Sequence, residues 1–116
     1  MNRLKIVKEN GHMIPVILEV PEEADSVVIM VHGFTSSKEC PTGQLLIRRM
    51  PEAGIGVVLY DQPGHGEEEA KEDPFRIENC MDSLAAVEKY VQLKWPEKEI
   101  LYFASSYGAY LTGLYL

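Results

Sequence analysis

The fold of this chain can be worked out from residues 100–110, which read Ile-Leu-Tyr-Phe-Ala-Ser-Ser-Tyr-Gly-Ala-Tyr. An apolar run rich in β-forming residues is followed by small residues, and then by an apolar segment that can form a helix. The stretch therefore predicts a strand, a sharp turn and a helix, with Ser106 at the turn.

The residues around Ser106 form the pattern Ala-x-Ser-x-Gly, which is one substitution away from the Gly-x-Ser-x-Gly pattern of a nucleophile elbow. An elbow needs small residues two before and two after the serine, where strand and helix crowd together, and Ala104 and Gly108 meet that need. The alternative interpretation is that Ser105 and Ser106 merely cap a helix, since serine is favoured at that position.

The composition indicates one soluble globular domain. The 116 residues are 46% hydrophobic and 25% charged, and the formal net charge is −7. An acidic chain without a Lys/Arg cluster argues against nucleic-acid partners and anionic membrane surfaces, and no segment is apolar enough to span a membrane. Cys40 and Cys80 lie in no metal-binding spacing and favour free thiols in a reducing cytoplasm, with a single disulfide as the alternative.

The first third of the chain predicts an antiparallel hairpin. Two β-like runs, residues 3–9 and 12–20, are joined by Asn10-Gly11, a pair that favours a tight turn. Pro15 inside the second run removes one ladder donor, so this strand is expected at or near a sheet edge.

The rest of the chain alternates between strands and helices. Residues 26–31 and 56–60 are apolar without alternation, which is typical of strands buried on both faces. A helix is expected from Pro41 to Met50, with Leu45, Leu46 and Met50 forming its apolar face.

A second helix is expected to begin at Asp73-Pro74 and to end at Trp95-Pro96. Its expected apolar face is formed by Ile77, Met81, Leu84, Val87 and Val91. The acidic stretch between Gly66 and Asp73 is expected to be a solvated loop.

This order predicts a three-layer α/β/α sandwich with a mostly parallel sheet and an N-terminal antiparallel hairpin. Ligands of such sheets bind at the carboxyl ends of the strands. Three loops are expected there: residues 32–37, 61–66 and 105–108. Acyl transfer at that edge would use Ser106 as the nucleophile and the backbone N–H groups of Tyr107 and Phe34 as donors to an oxyanion.

Three motifs carry a resemblance to a known family: Val31 to Phe34, Asp61 to Gly66, and Ala104 to Gly108. In this order, each after an expected strand, they resemble the N-terminal half of an α/β-hydrolase of the esterase, acylglycerol lipase and serine aminopeptidase type. The resemblance covers nearly the whole chain, residues 1–116, as part of a single domain. It implies Ser106 as nucleophile, Phe34 and Tyr107 as the oxyanion hole, and a small-molecule acyl ester as substrate. No cofactor is expected, and no metal is expected because the histidines and carboxylates lack metal-ligand spacing.

The chain departs from the family pattern in one serious respect. In this family the acid and the histidine of the triad follow the serine, yet none of the ten residues after Ser106 is Asp, Glu or His. Of the three histidines, His12 is expected in the hairpin, and the resemblance implies that His32 supports its loop. His65, in its Gly-His-Gly turn, is expected to be structural or to face the substrate. Asp61 is expected to accept backbone hydrogen bonds within its own loop.

Two functions remain open at this stage. The leading one is a cytoplasmic serine hydrolase of carboxylic esters, thioesters or small amides, of which these residues form the half that carries the nucleophile and have little activity alone. The other is a non-catalytic α/β fragment that docks or self-associates. Residues 99–104 are expected to form an open edge strand, covered by a C-terminal half or by a second copy in a homo-oligomer.

Overall fold

The computed structural model describes residues 1–116 and contains five strands and four α-helices. The strands are β1 (Asn2–Val7), β2 (Met13–Glu19), β3 (Ser26–Val31), β4 (Ile55–Tyr60) and β5 (Glu99–Ala104). The helices are α1 (Pro41–Arg49), α2 (Glu68–Lys71), α3 (Ile77–Lys94) and α4 (Tyr107–Tyr115), and one 3₁₀ turn spans Pro51–Ala53. The expected order of a hairpin followed by alternating strands and helices is confirmed.

The strands form one mixed sheet in the order β1-β2-β4-β3-β5. β1 and β2 pair antiparallel, β2 pairs antiparallel with β4, and β3 pairs parallel with both β4 and β5. Pro15 lies one strand in from the edge, beside the start of the β2–β4 ladder, where its carbonyl accepts a hydrogen bond from the Asp61 N–H. Pro15 lies opposite Lys5 within the β1–β2 ladder, but its carbonyl and its missing donor face β4, so the missing bond falls at the start of the β2–β4 ladder.

Apolar side chains cover both faces of the central strands, which separates the molecule into three layers. Val27, Ile29 and Val31 of β3 pack with α3 and α4 on one face, in the larger hydrophobic core. On the other face, Met30 packs in a smaller core with α1. This alternation explains why β3 has no polar face.

Helix α1 presents a different face to the sheet from the one expected. Cys40 caps its N-terminus, and Leu46 and Ile47 are its buried apolar residues, whereas Leu45 is 49% exposed. The interpretation of Leu45 as a core residue is wrong because Gly43 contacts the sheet layer. A Cβ at Gly43 would lie 3.5 Å from the Leu59 side chain of β4 and 2.4 Å from the Lys38 carbonyl oxygen. The helix therefore approaches the sheet along the face of Gly43, Leu46 and Ile47.

Helix α3 begins later than expected. Arg76 precedes its first residue, Ile77, and Asp73 does not cap it. The Asp73 carboxylate is instead buried and accepts a hydrogen bond from the Lys8 ammonium at 2.5 Å. The expected helix start at Asp73-Pro74 is therefore wrong, because pairing with a buried lysine of the hairpin outweighs the local capping preference. Ile77, expected on the buried face, is correspondingly 36% exposed at the helix start.

The acidic stretch after Gly66 contains helix α2 rather than only a loop, and it faces the basic side chains of the hairpin. Arg3 lies 3.9 Å from Glu67, and Lys5 forms an ion pair with Glu69. These two pairs are at the surface, in contrast to the buried pair of Lys8 with Asp73. Helix α2 packs on β2 through the buried Ala70, and the surface pairs with β1 add little to this packing.

Strand β5 lies at the edge of the sheet and pairs only with β3. Its side chains alternate: Ile100, Tyr102 and Ala104 pack against the larger core, whereas Leu101 and Phe103 are each 40% exposed. The expected edge strand is therefore present, with one face covered by helices and one apolar face open. None of the helices is both long and apolar enough to cross a membrane.

Candidate active site

Ser106 lies at the turn between β5 and α4, and its backbone is strained. It is one of two residues other than glycine with a positive φ, at φ 55° and ψ −127°. A side chain in this region of φ/ψ space costs of order 1–3 kcal/mol and persists only where the surroundings impose it. An N-cap serine adopts an ordinary extended backbone, so the conformation of Ser106 favours the elbow interpretation over the cap.

The surroundings impose this conformation through close packing at two glycines. A Cβ on Gly108 would lie 2.3 Å from the Val31 carbonyl oxygen, which shows how closely α4 crosses the end of β3. A Cβ on Gly33 would lie 2.9 Å from the Ser106 Cβ and 3.4 Å from its Oγ. The loop after β3 therefore packs directly against the serine. Ala104, two residues before it, is half-buried against the larger core.

Hydrogen bonds hold the peptide group between Gly33 and Phe34 only through its carbonyl oxygen. Its carbonyl oxygen accepts hydrogen bonds from His32 Nδ1–H at 2.8 Å and from the Ser36 N–H at 3.2 Å. All peptide bonds are trans, so the Phe34 N–H points away from that carbonyl. It donates to no acceptor in the chain, and neither does the Tyr107 N–H at the first residue of α4. Both expected oxyanion donors are thus free.

Both ring nitrogens of His32, and both ring nitrogens of His65, form hydrogen bonds with backbone groups. Besides its bond to Gly33, His32 accepts a hydrogen bond from the Gln62 N–H on Nε2 at 2.9 Å. His65 donates from Nδ1 to the Pro63 carbonyl at 2.9 Å and accepts the Thr35 N–H on Nε2 at 3.0 Å. Each bond to an N–H requires an unprotonated Nε2. Neither histidine has a nitrogen left to deprotonate a serine.

Burial favours the neutral form of His32. The side chain is 1% exposed, and desolvation lowers its pKa below the ordinary value, although the Gly33 carbonyl and the Asp61 charge act in the opposite direction. His12, the third histidine, lies in the turn of the hairpin, where its own backbone N–H donates to the Asn10 side chain.

Asp61 forms a buried ion pair with Lys38, a residue that the sequence pattern did not single out. The Asp61 carboxylate accepts from the Lys38 ammonium at 2.7 Å, from the Lys38 backbone N–H at 3.0 Å and from the Glu67 N–H at 3.1 Å. Lys38 is 1% exposed, and its ammonium also contacts the Glu67 carboxylate at 2.6 Å. Burial alone would lower the lysine pKa, but its hydrogen bonds to the two carboxylates raise it. The expected role of Asp61 as a backbone acceptor holds, and the lysine is an addition.

The three loops expected at the carboxyl edge of the sheet are thus brought together. His32, His65 and Lys38 cross-link the loop after β3 to the loop after β4, and Gly33 contacts Ser106 in the loop after β5. Aromatic rings flank the same region: Phe75 lies 5.4 Å from Phe34 between ring centroids. A groove of about 470 Å³ lies elsewhere, between β1 and α3. His, Cys, Asp and Glu side chains nowhere form a group of three or more that could hold a metal ion.

Comparison with known proteins places this geometry in context. A family model described as "Serine aminopeptidase, S33" matches residues 22–116. No curated protein matches the chain.

Solved structures match over almost the whole chain. A thermostable carboxyl esterase from Bacillus coagulans has a TM-score of 0.83 at 21% identity, over 98% of this chain and 39% of its own. A lidless α/β serine hydrolase from Xanthomonas campestris has a TM-score of 0.82 at 23% identity, over 96% and 53%. A Butyrivibrio proteoclasticus protein with ferulic acid bound has a TM-score of 0.81 at 22% identity, over 97% and 46%. These likenesses show the fold, and the chain spans about half or less of each of these proteins.

Proposed function

Because the chain belongs to the serine aminopeptidase S33 family of hydrolases, we propose that it carries the nucleophile of a serine hydrolase acting on carboxylic esters. Thioesters and small amides share the same acyl chemistry and remain within the proposed substrate class. Residues 1–116 would form the N-terminal part of a single catalytic domain. The free thiols of Cys40 and Cys80 are compatible with work in a reducing cytoplasm.

In the proposed reaction, the Ser106 Oγ attacks the carbonyl carbon of the ester, and its proton passes to a general base. The carbonyl oxygen becomes negatively charged and is stabilised by the N–H groups of Phe34 and Tyr107. Collapse of this intermediate breaks the bond to the alcohol, which leaves with the proton and gives an acyl-enzyme on Ser106. Water then attacks the acyl group in the same way and releases the carboxylic acid.

The general base and its acid are proposed to come from residues outside these 116. The nitrogens of His32 and His65 are committed to backbone groups, and the ten residues after Ser106 include no Asp, Glu or His. The solved structures named above are about twice as long as the chain or longer. Without a base the hydroxyl stays protonated and is a weak nucleophile, so the 116 residues alone are expected to have little esterase activity.

The observation that carries the proposal is the strained Ser106 beside two unpaired backbone N–H groups. The test uses the protein as the cell makes it, with Ser106→Ala compared with Ser105→Ala as the matched control. We expect Ser106→Ala to abolish p-nitrophenyl acetate hydrolysis and labelling by a fluorophosphonate probe, while Ser105→Ala keeps both. Turnover retained by Ser106→Ala would reject Ser106 as the nucleophile.

A second candidate function is docking or self-association through β5. The observation that favours it is the open apolar face of this edge strand, where Leu101 and Phe103 are each 40% exposed. In the hydrolase proposal this face is covered by the remainder of the domain, and in the alternative it is covered by a second copy of the chain. Loss of all hydrolysis in every form of the protein, together with a stable homo-oligomer, would favour the alternative.

A further inference from the structure

The residue that follows the expected oxyanion donor has an unfavourable backbone conformation. Residues 33–36 form a turn closed by the Ser36 N–H donating to the Gly33 carbonyl at 3.2 Å. Thr35 is the third residue of this turn, and its φ is 64°. Turns with positive φ at this position usually have glycine there, and a β-branched residue is a clear outlier. Some contact must therefore hold Thr35 in place.

His65 supplies that contact. Its Nε2 accepts the Thr35 N–H at 3.0 Å, and its Nδ1–H is fixed on the Pro63 carbonyl at 2.9 Å. The ring also packs against Phe34 and Phe75, at 5.8 and 4.7 Å between centroids. The imidazole is therefore fixed in both position and tautomer, with its acceptor nitrogen directed at the strained residue.

We propose that His65 is a positioning residue for the oxyanion hole, an inference that rests on the proposed function. It fixes the peptide group between Phe34 and Thr35, while His32 fixes the preceding peptide group through the Gly33 carbonyl. The Phe34 N–H belongs to the peptide group that His32 holds, and His65 holds the next peptide group along the chain. Without the bond to His65, the Phe34–Thr35 peptide can rotate to relieve the strain at Thr35, which opens the turn closed by the Ser36 N–H on the Gly33 carbonyl. The Gly33–Phe34 peptide group then loses one of its two donors, so its N–H no longer points steadily at the oxyanion.

The test compares two replacements of His65 in the protein as the cell makes it. His65→Phe keeps an aromatic ring against Phe34 and Phe75 but has no acceptor, whereas the Oε1 of His65→Gln can accept the Thr35 N–H. Complete removal of an oxyanion donor lowers kcat by about 100-fold to 1000-fold. We expect His65→Phe to lower kcat by about 10-fold or more with KM changed less than about twofold, because the donor is misplaced rather than removed. His65→Gln should recover most of the loss.

A rescue separates positioning from general support of the fold. In the double variant His65→Phe/Thr35→Gly, glycine adopts positive φ without strain, so the turn no longer needs its anchor. We expect the double variant to regain most of the kcat lost in His65→Phe. Thermal unfolding of all variants gives their stabilities. If His65→Phe fails to fold, the double variant decides: a kcat near that of Thr35→Gly supports the inference, and a kcat lowered by about 10-fold or more overturns it.

Nuclear magnetic resonance gives a readout that does not depend on turnover. The ring nitrogens of His65 should show a protonated Nδ1 and an unprotonated Nε2, and the Thr35 amide proton should exchange slowly with solvent. Both signatures should vanish in His65→Phe. An unchanged kcat in His65→Phe, or a loss that Thr35→Gly does not restore, would overturn the inference. If Ser106→Ala is inactive at the same time, the proposed function stands and only the role of His65 fails.

Discussion

Replacing Ser106 by glycine tests directly whether the elbow stores strain. The serine has a φ of 55° and a ψ of −127°, a region that glycine enters freely and other residues do not. The same residue packs against Gly33, where a Cβ would approach the Ser106 Cβ to 2.9 Å. Removing the Ser106 side chain relieves both the backbone strain and this crowding, so we expect the variant to be more stable than the wild type.

The size of the effect follows from two opposing contributions. Strain at such a residue is worth about 1–3 kcal/mol, and glycine costs about 0.5–1 kcal/mol through the greater freedom of the unfolded chain. The difference is a stabilisation of about 1 kcal/mol for Ser106→Gly. For a domain of this size, that corresponds to an increase in Tm of roughly 3 to 6 °C.

Urea and thermal unfolding of three variants measure this difference. Ser106→Ala removes the hydroxyl but keeps the Cβ, so its stability should stay near that of the wild type. Ser105→Gly is the matched control, because the neighbouring serine has no positive φ, and it should be destabilised by about 0.5–1 kcal/mol. If Ser106→Gly loses stability as Ser105→Gly does, the elbow carries no strain and the argument from its backbone is refuted.

Three other predictions concern the ion pair, the buried histidine and the sheet edge. Lys38→Met leaves the Asp61 carboxylate buried without its partner and should lower the free energy of unfolding, measured in urea, by about 3–5 kcal/mol. Lys5→Met, at the surface, should change the free energy of unfolding little. Equal effects of the two replacements would contradict the burial argument. Burial lowers the pKa of His32, so the neutral histidine contributes fully to stability above pH 6.5. This contribution is lost as the pH falls from there towards the lowered pKa, where the free energy of unfolding decreases by up to about 1.4 kcal/mol per pH unit. This slope should be absent in His32→Gln, and an identical pH dependence of the two proteins in denaturant titrations would count against it. Phe103→Lys places a charge on the open face of β5 and should shift the isolated chain towards monomer in sedimentation velocity, while an unchanged distribution would exclude this face as the site of self-association.

Much of the fold could be predicted because its determinants are local in sequence. The apolar runs that became β3 and β4 have no polar face, and the Asn10-Gly11 pair lies in the hairpin turn, where Gly11 has a φ of 89°. The three motif loops could be placed at one edge because parallel strands end on the same side.

What could not be predicted depends on partners distant in the sequence. Lys38 looks like a loop cation until the fold brings Asp61, 23 residues later, onto its ammonium. Asp73 has a good local capping signal, yet the fold pairs it with Lys8 instead, 65 residues earlier. The bond of His65 to the Thr35 N–H is likewise a long-range contact, and nothing in a threonine predicts a positive φ.

Ion pairs join the hairpin to the segment after β4, and the surface pairs among them depend on ionic strength more than the buried pair does. The pairs of Arg3 with Glu67 and of Lys5 with Glu69 are in contact with solvent, where 0.15 M salt screens charges over about 8 Å. The pair of Lys8 with Asp73 is shielded from counterions by the protein around it. Added salt should therefore weaken the surface pairs of Arg3 and Lys5 while the pair of Lys8 with Asp73 stays intact. Amide hydrogen exchange in α2 should rise slightly with salt, and exchange beside Asp73 should not.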